Sequence, residues 1–303
     1  MNDAHNSVVI DDTFAEAFPM KATRLLITAH NITWARHAAV SATGFATSVI
    51  ACGCEAGIER ELSPDETPDG RPGVSVLLFS MSGKELIKQI ERRVGQCVLT
   101  CPTTAVFAGI SDGEAVPLGK NLRFFGDGWQ TSKVIAGVRY WRVPVMDGEF
   151  VAQETTAVTK AVGGGNLLLL ARDTDAALAV AEAAVAAMQR LRNVIMPFPG
   201  GVVRSGSKVG SKYPALMAST NDAFCPGLYG LVAKSELTPE TRCVMEIVID
   251  GLTEADVAAA MRAGLAAGIA FGAARGLLRI SAGNYGGKLG PYLFHLHKLM
   301  EAA

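Results

Sequence analysis

Asn166-Leu167-Leu168-Leu169-Leu170-Ala171 is followed by an alanine-rich stretch over residues 174–191, and residues 193–198 then return to an extended pattern. A bounded apolar run of five residues after Asn166 reads as a buried strand, being too short for an ordinary helix. Leu178, Ala181, Val185 and Met188 recur at helical spacing in the stretch that follows. Farther along, residues 242–249 read as a strand and 253–267 as a helix with Val257, Met261 and Leu265 aligned. Residues 277–281 read as a strand. Thr253 with Asp256 three residues on has the form of a helix start.

The first half of the chain carries the same order. Residues 24–29 read as a strand, 33–42 as a helix and 46–52 as a strand. After a turn-rich excursion, residues 74–80 read as a strand, 83–94 as a helix and 96–100 as a strand. Leu86, Ile87, Ile90 and Val94 line one helical face, and Ser82 with Glu85 forms a capping-box start. Two strand–helix–strand pairs in each half predict an α+β protein of two ferredoxin-like, split-βαβ lobes produced by internal duplication. The expected lobes are residues 1–147 and 148–303. A doubly wound parallel sheet is the competing architecture, but no G-x-G-x-x-G follows a strand and no G-x-x-x-x-G-K-[ST] occurs. Gly163-Gly164-Gly165 precedes a strand, the wrong place for a helix-dipole phosphate site, and reads as a turn.

At 303 residues, 49% hydrophobic and 19% charged, the chain has the composition of a globular protein with a sizeable core. A net charge of −1 supplies no overall attraction to nucleic acid. Charge is nevertheless uneven. Residues 183–221 hold no acid but contain Arg190, Arg192, Arg204, Lys208 and Lys212. Residues 257–300 are likewise acid-free and contain Arg262, Arg275, Arg279, Lys288 and Lys298. Such stretches build either a positive pocket for small polyanions or scattered solvated cations. The polar, acidic N-terminus lacks a signal-peptide pattern, and the uncharged run between Arg262 and Arg275 is too short for a bilayer span. The expected setting is therefore cytoplasmic, with no membrane partner.

Six cysteines include Cys52-x-Cys54 and Cys97-x₃-Cys101, neither of which has zinc-site spacing. They read as packing thiols. His295 and His297 would share a face on a strand but lack an identifiable third ligand, so no metal is expected. No G-x-S-x-G elbow supports a covalent acyl-enzyme.

Glu246 stands inside Cys243-Val244-Met245-Glu246-Ile247-Val248-Ile249, an otherwise apolar strand. Buried, its carboxyl would need a partner or a proton, and its raised pKa would suit general acid–base work. The other reading turns one polar residue outward on an alternating strand. The excursion over residues 199–239 is dense in Gly, Ser and Lys around Ser207, Lys208 and Lys212, and suits either anion binding or an ordinary surface loop. Residues 281–290 are again Gly-rich.

Several of these segments resemble the formylmethanofuran:tetrahydromethanopterin formyltransferase family. They are Asp12-Thr13-Phe14-Ala15-Glu16-Ala17-Phe18, residues 42–50, Pro68-Asp69-Gly70-Arg71-Pro72-Gly73, Phe124-Phe125-Gly126-Asp127-Gly128, and residues 197–212, 219–226 and 281–290. The resemblance runs in order from about residue 10 to about residue 297. It implies formyl transfer between N5 of tetrahydromethanopterin and the amine of methanofuran or an analogue. Both carriers are coenzyme substrates, and no prosthetic group is implied. Glu246 falls at the position of the family's proposed catalytic glutamate. The candidate donors and anchors for the carriers are Ser207, Lys208, Lys212, Asn221, Asp222, Asn284 and Lys288. The low acidity and alanine content are similar to the methylotroph branch, which implies a homo-oligomer associated with hydrolase-type subunits of a formyltransferase/hydrolase complex. A non-catalytic, carrier-anchoring subunit is the alternative reading.

Overall fold

The computed structural model of the chain describes residues 7–301. It divides into two compact units, Met20–Ala161 and a discontinuous unit that joins the segment before residue 20 to the segment from Val162 onward. Two long strands, Phe14–Thr28 and Thr155–Ala171, each contribute residues to both units, so the contact boundaries fall at 19/20 and 161/162 rather than in a linker.

In the unit containing residue 246, Val194–Ile195 pairs with Cys243–Gly251, which pairs with Thr155–Ala171, which pairs with Leu277–Ser281, all antiparallel. In chain order this is a strand sequence of 2-3-1-4 with two helices between, the split-βαβ arrangement. Val9–Ile10 extends the far edge in parallel, and Tyr292–His295 pairs with Phe14–Ala17. The helices Thr174–Met188 and Glu254–Phe271 start on side-chain caps: Asp173 accepts from Ala176 N–H at 2.8 Å and Thr253 from Asp256 N–H at 3.1 Å. Both pack on one sheet face, where Leu167, Leu169, Ile247, Ile249 and Ile280 meet Val180, Ala184, Met188, Val257 and Met261. Each such fully buried aliphatic side chain contributes about 1.5–3 kcal/mol. Leu178 is an exception to the predicted face: it is exposed, and Ala177 and Val180 take the buried positions.

Strand alternation sends Leu168, Leu170, Val244 and Glu246 to the opposite face. Among the described residues, no α-helix contributes to the apolar cluster on this face. Leu237 and Phe224, from the long excursion, pack on Leu168, Leu170 and Val244 instead. Gly163–Gly165 is not a turn. It lies within the strand at a bulge, where the register with Gly251 and Ile249 shifts and Gly164 adopts φ +90°.

The Met20–Ala161 unit repeats the order with Glu55–Leu62, Gly73–Ser80, residues 20–28 and Ala105–Ala108 in antiparallel register. Ile32–Thr43 and Gly83–Arg93 cover one face, with Ala35, Ala38, Leu86 and Ile90 against Leu25, Ile27, Val76 and Leu78. A meander of Thr131–Ile135, Val138–Val145 and Gly148–Gln153 extends it. Two predicted strands are overturned here. Residues 49–52 form a helical turn capped by Ser48 and closed by Gly53 at φ +75°. Val94–Val98 is a π-helical turn that continues the preceding helix and buries Val94 and Val98. Ala105–Ala108 supplies the fourth strand.

Candidate active site

Glu246 sits in the middle of the strand Cys243–Gly251, directly opposite Leu168, which on its other side faces Ser281. Glu246 and Ser281 therefore share the face opposite the two helices, about 10 Å apart across two strand spacings. The Glu246 backbone is fixed from the excursion: Val203 N–H donates to its carbonyl at 2.7 Å, and its own N–H donates to Val203 O at 2.9 Å. The residue is 9% exposed, and among the described residues its carboxyl has no hydrogen-bond or ion-pair partner. Burial alone pushes its pKa up from 4.5 to about 7. The carboxyl thus exchanges its proton near neutrality, as a general acid or base must.

Beside it opens a cleft of about 560 Å³ lined by Asp12, Thr13, Lys208, Asn221, Arg279, Ser281, Asn284 and Tyr285, among others. Glu246 is not itself in the lining, but Tyr285 is, and the two interact. Burial first, then the charges of Glu246 and Glu16, push the Tyr285 phenol up to about 12. Its hydroxyl donates to the Ser207 carbonyl at 3.2 Å. Tyr285 is thereby kept a neutral hydrogen-bond donor.

Of the predicted carrier-binding residues, Lys208, Asn221 and Asn284 meet in this cleft. Asp222 stands behind them and accepts a hydrogen bond from Lys208 Nζ at 2.7 Å, which holds its carboxyl below the usual range. Ser207 takes part through its backbone carbonyl. Lys212 and Lys288 are exposed and do not line the cleft. Arg279, noted before only as one cation of an acid-free stretch, is in the lining and lies 3.5 Å from Asp11. Tyr285 and Glu16 were not singled out as site residues.

The two histidines near the C-terminus, His295 and His297, divide at a structural boundary. His295 ends a strand and meets the Phe14 ring at a tilt of 53°, whereas His297 lies in the helix Leu296–Glu301 and bonds the Ile10 carbonyl at 3.0 Å, so they do not share a face. Among the described residues no group of three or more His, Cys, Asp or Glu side chains is placed to hold a metal ion. Cys54 is buried, with its thiol pushed up to about 11, and the other five cysteines are partly buried and free. Among the described residues no helix is long and apolar enough to cross a membrane.

Comparison with known proteins agrees with this architecture along its whole length. Residues 4–145 match the formylmethanofuran-tetrahydromethanopterin formyltransferase family, and residues 148–299 match the proximal lobe of the same family. The chain is 70% identical over 295 residues to the formylmethanofuran–tetrahydromethanopterin formyltransferase of Methylococcus capsulatus, covering 97% of this chain and 99% of that one. The crystal structure of the formyltransferase/hydrolase complex from Methylorubrum extorquens with methylofuran contains a chain 51% identical, with a TM-score of 0.94 and coverage of 97% and 99%. The formylmethanofuran:tetrahydromethanopterin formyltransferase from Methanosarcina barkeri is 48% identical with a TM-score of 0.92, covering 97% and 98%. The chain belongs to the formylmethanofuran-tetrahydromethanopterin formyltransferase family.

Proposed function

We propose that the chain transfers a formyl group between N5 of tetrahydromethanopterin and the primary amine of methanofuran or a methylofuran-type analogue, with Glu246 as the proton-handling group. The observation that carries this reading is the isolated, buried Glu246 carboxyl beside a polar cleft, with its pKa raised to about 7. The acceptor nitrogen attacks the formyl carbon, and the carbonyl oxygen becomes an oxyanion. A protonated Glu246 gives its proton to the developing tetrahedral species. Collapse breaks the bond from carbon to the donor nitrogen, and the proton lost by the attacking nitrogen ends on the leaving one. Glu246 returns to its starting state. Asn221 and Asn284 supply neutral hydrogen-bond donors in the cleft wall, and the Tyr285 phenol, whose proton is on the Ser207 carbonyl, stays neutral beside them. Lys208 and Arg279 offer charge to the acidic tails of the carriers. Alignment of two bulky carriers lowers the barrier without a covalent intermediate.

The chain then works as one subunit beside hydrolase-type subunits, in a homo-oligomer, with its free thiols in the reducing cytoplasm. The similarity to a chain of a solved formyltransferase/hydrolase complex supports this placement. The test is formyl exchange between the two carriers with purified protein. Glu246→Gln is expected to lower kcat by about 100-fold or more while carrier binding persists. An unchanged rate would move the proton transfer away from Glu246, whereas binding of the carriers without any exchange in wild type would favour the carrier-anchoring reading, in which the subunit holds its ligand but does no chemistry.

A further inference from the structure

We propose that Glu16 is a positioning residue of the transfer site: its carboxylate is the built-in anion of the Gly-rich segment 284–290, and through that segment it fixes Tyr285 in the cleft wall. This rests on the formyl-transfer reading of the Glu246 site.

Glu16 is 1% exposed. Its Oε2 accepts from Tyr285 N–H at 2.9 Å and Gly287 N–H at 3.0 Å. Its Oε1 accepts from Gly290 N–H at 3.3 Å and from Leu289 N–H. Four backbone donors from one short segment thus converge on a single side chain, the arrangement that elsewhere makes a concave nest for a phosphate or carboxylate ligand. The segment is shaped for it. Gly286 and Gly287 adopt φ +83° and +69°, and Gly290 lies so close to Ala17 that a Cβ would overlap the Ala17 carbonyl. Asn284 closes the turn by accepting from Gly286 N–H at 2.8 Å, and its amide reaches the Thr13 hydroxyl at 3.3 Å. The Glu16 N–H donates to Gly283 O at 3.2 Å, which ties the strand to the entry of the segment.

The electrostatics agree with the geometry. Burial opposes the Glu16 charge, yet the four backbone donors outweigh it and lower the pKa, so the carboxylate is charged throughout the neutral range. A Gly-rich segment whose donors are already satisfied by the chain itself is not an open subsite for a carrier phosphate. Its role is orientation. Tyr285 is held at both ends, by its N–H on Glu16 and by its hydroxyl on the Ser207 carbonyl. Without the Glu16 charge, the first of these anchors is lost, and the phenol no longer has a defined place beside Glu246.

The experiment measures kcat and KM for both carriers in wild type, Glu16→Gln, Glu16→Asp, Tyr285→Phe and the Glu16→Gln/Tyr285→Phe double variant. Wild-type formyl exchange reports on the function, and its absence would remove that reading whatever Glu16 does. With an active wild type, Glu16→Gln should lower kcat by about 100-fold with each KM within about 3-fold. Glu16→Asp should restore part of the rate, and the double variant should be no slower than Glu16→Gln, because both substitutions act through one side chain. Losses that multiply in the double variant, or a Glu16→Gln rate close to wild type, overturn the inference. Should Glu16→Gln fail to fold, hydrogen exchange in the wild-type protein decides. The amides of residues 285, 287, 289 and 290 are expected to be strongly protected at neutral pH, and unprotected exchange there refutes the clamp.

Discussion

Glu16 and Glu246 are carboxylates of one compact unit, both almost out of contact with solvent, and their surroundings drive them to opposite protonation states. Glu16 receives four backbone N–H groups and is held charged. Glu246 receives no hydrogen bond among the described residues and is pushed toward neutrality. Tyr285 feels both charges, ranking just after its own burial. Environments that separate two titrating groups in this way assign roles: the charged one holds structure and the near-neutral one moves protons.

The rate should therefore respond to pH through Glu246. With a pKa of about 7 in the free protein, the proton-donating form dominates below neutrality. kcat/KM for formyl transfer should fall as pH rises through about 7, and this limb should vanish in Glu246→Gln. The pH–rate profiles of the two proteins check it. A wild-type profile flat between pH 6 and pH 8 would assign the proton transfer elsewhere.

Stability should move with the same group. In the unfolded chain Glu246 deprotonates near 4.5, whereas in the folded state it holds its proton up to about 7. Between these values the folded state binds more protons, so stability falls as pH rises, by about 3 kcal/mol across that interval. Glu246→Gln lacks this loss. Denaturant unfolding should show the variant gaining on wild type between pH 5 and pH 8. Glu16 works in the other direction: its contribution is present above its unfolded pKa and is lost only as pH falls through its lowered folded value.

The cleft makes a sharper distinction among the lysines than their sequence context did. Lys208→Met should raise KM for the acidic carriers by about 10-fold at nearly constant kcat, since it removes a charge from the cleft lining. Lys212→Met and Lys288→Met, at exposed positions outside that lining, should leave KM within about 2-fold. Steady-state kinetics with each carrier separates these outcomes.

Glu246 was visible as a candidate because a carboxylate interrupts an apolar strand, a local anomaly in seven residues that by itself left burial and an outward turn both open. Glu16 was not. An acidic residue between two alanines reads as an ordinary solvent-facing strand position, and its four partners lie some 270 residues away. The duplicated strand–helix order was likewise local and readable, whereas two of its strands were misread for local reasons. Val98 and Leu99 look extended in a short apolar window, yet Val94 and Val98 continue a helical face. At residues 46–52, Ser48 and Gly53 are the cap and stop of a helical turn that the apolar composition conceals.

In the Met20–Ala161 unit, Arg24 and Glu59 form a two-pronged pair, both contacts at 2.8 Å, with Ser75 Oγ also donating to Glu59 at 2.6 Å. Arg24→Met leaves the buried Glu59 charge without its guanidinium and should cost about 3 kcal/mol or more. Adding Glu59→Met should recover most of that loss. Denaturant titration of the single and double variants checks the pairing.

Two glycines of one segment should behave differently although both look like turn residues. At Gly286 a methyl group meets nothing within 4 Å, so Gly286→Ala carries only the strain of an alanine at φ +83°, about 1 kcal/mol. At Gly290 the same methyl group runs into the Ala17 carbonyl and lies 2.9 Å from Phe18 Cα, both main-chain atoms that cannot rotate away. The backbone must retreat, and with it the Leu289 and Gly290 N–H groups leave Glu16. Gly290→Ala should therefore cost about 3 kcal/mol and lower kcat together with stability, whereas Gly286→Ala should keep most of its activity. Unfolding and formyl-exchange measurements on the pair test whether close approach at residue 290, rather than turn flexibility at 286, keeps the segment on its carboxylate.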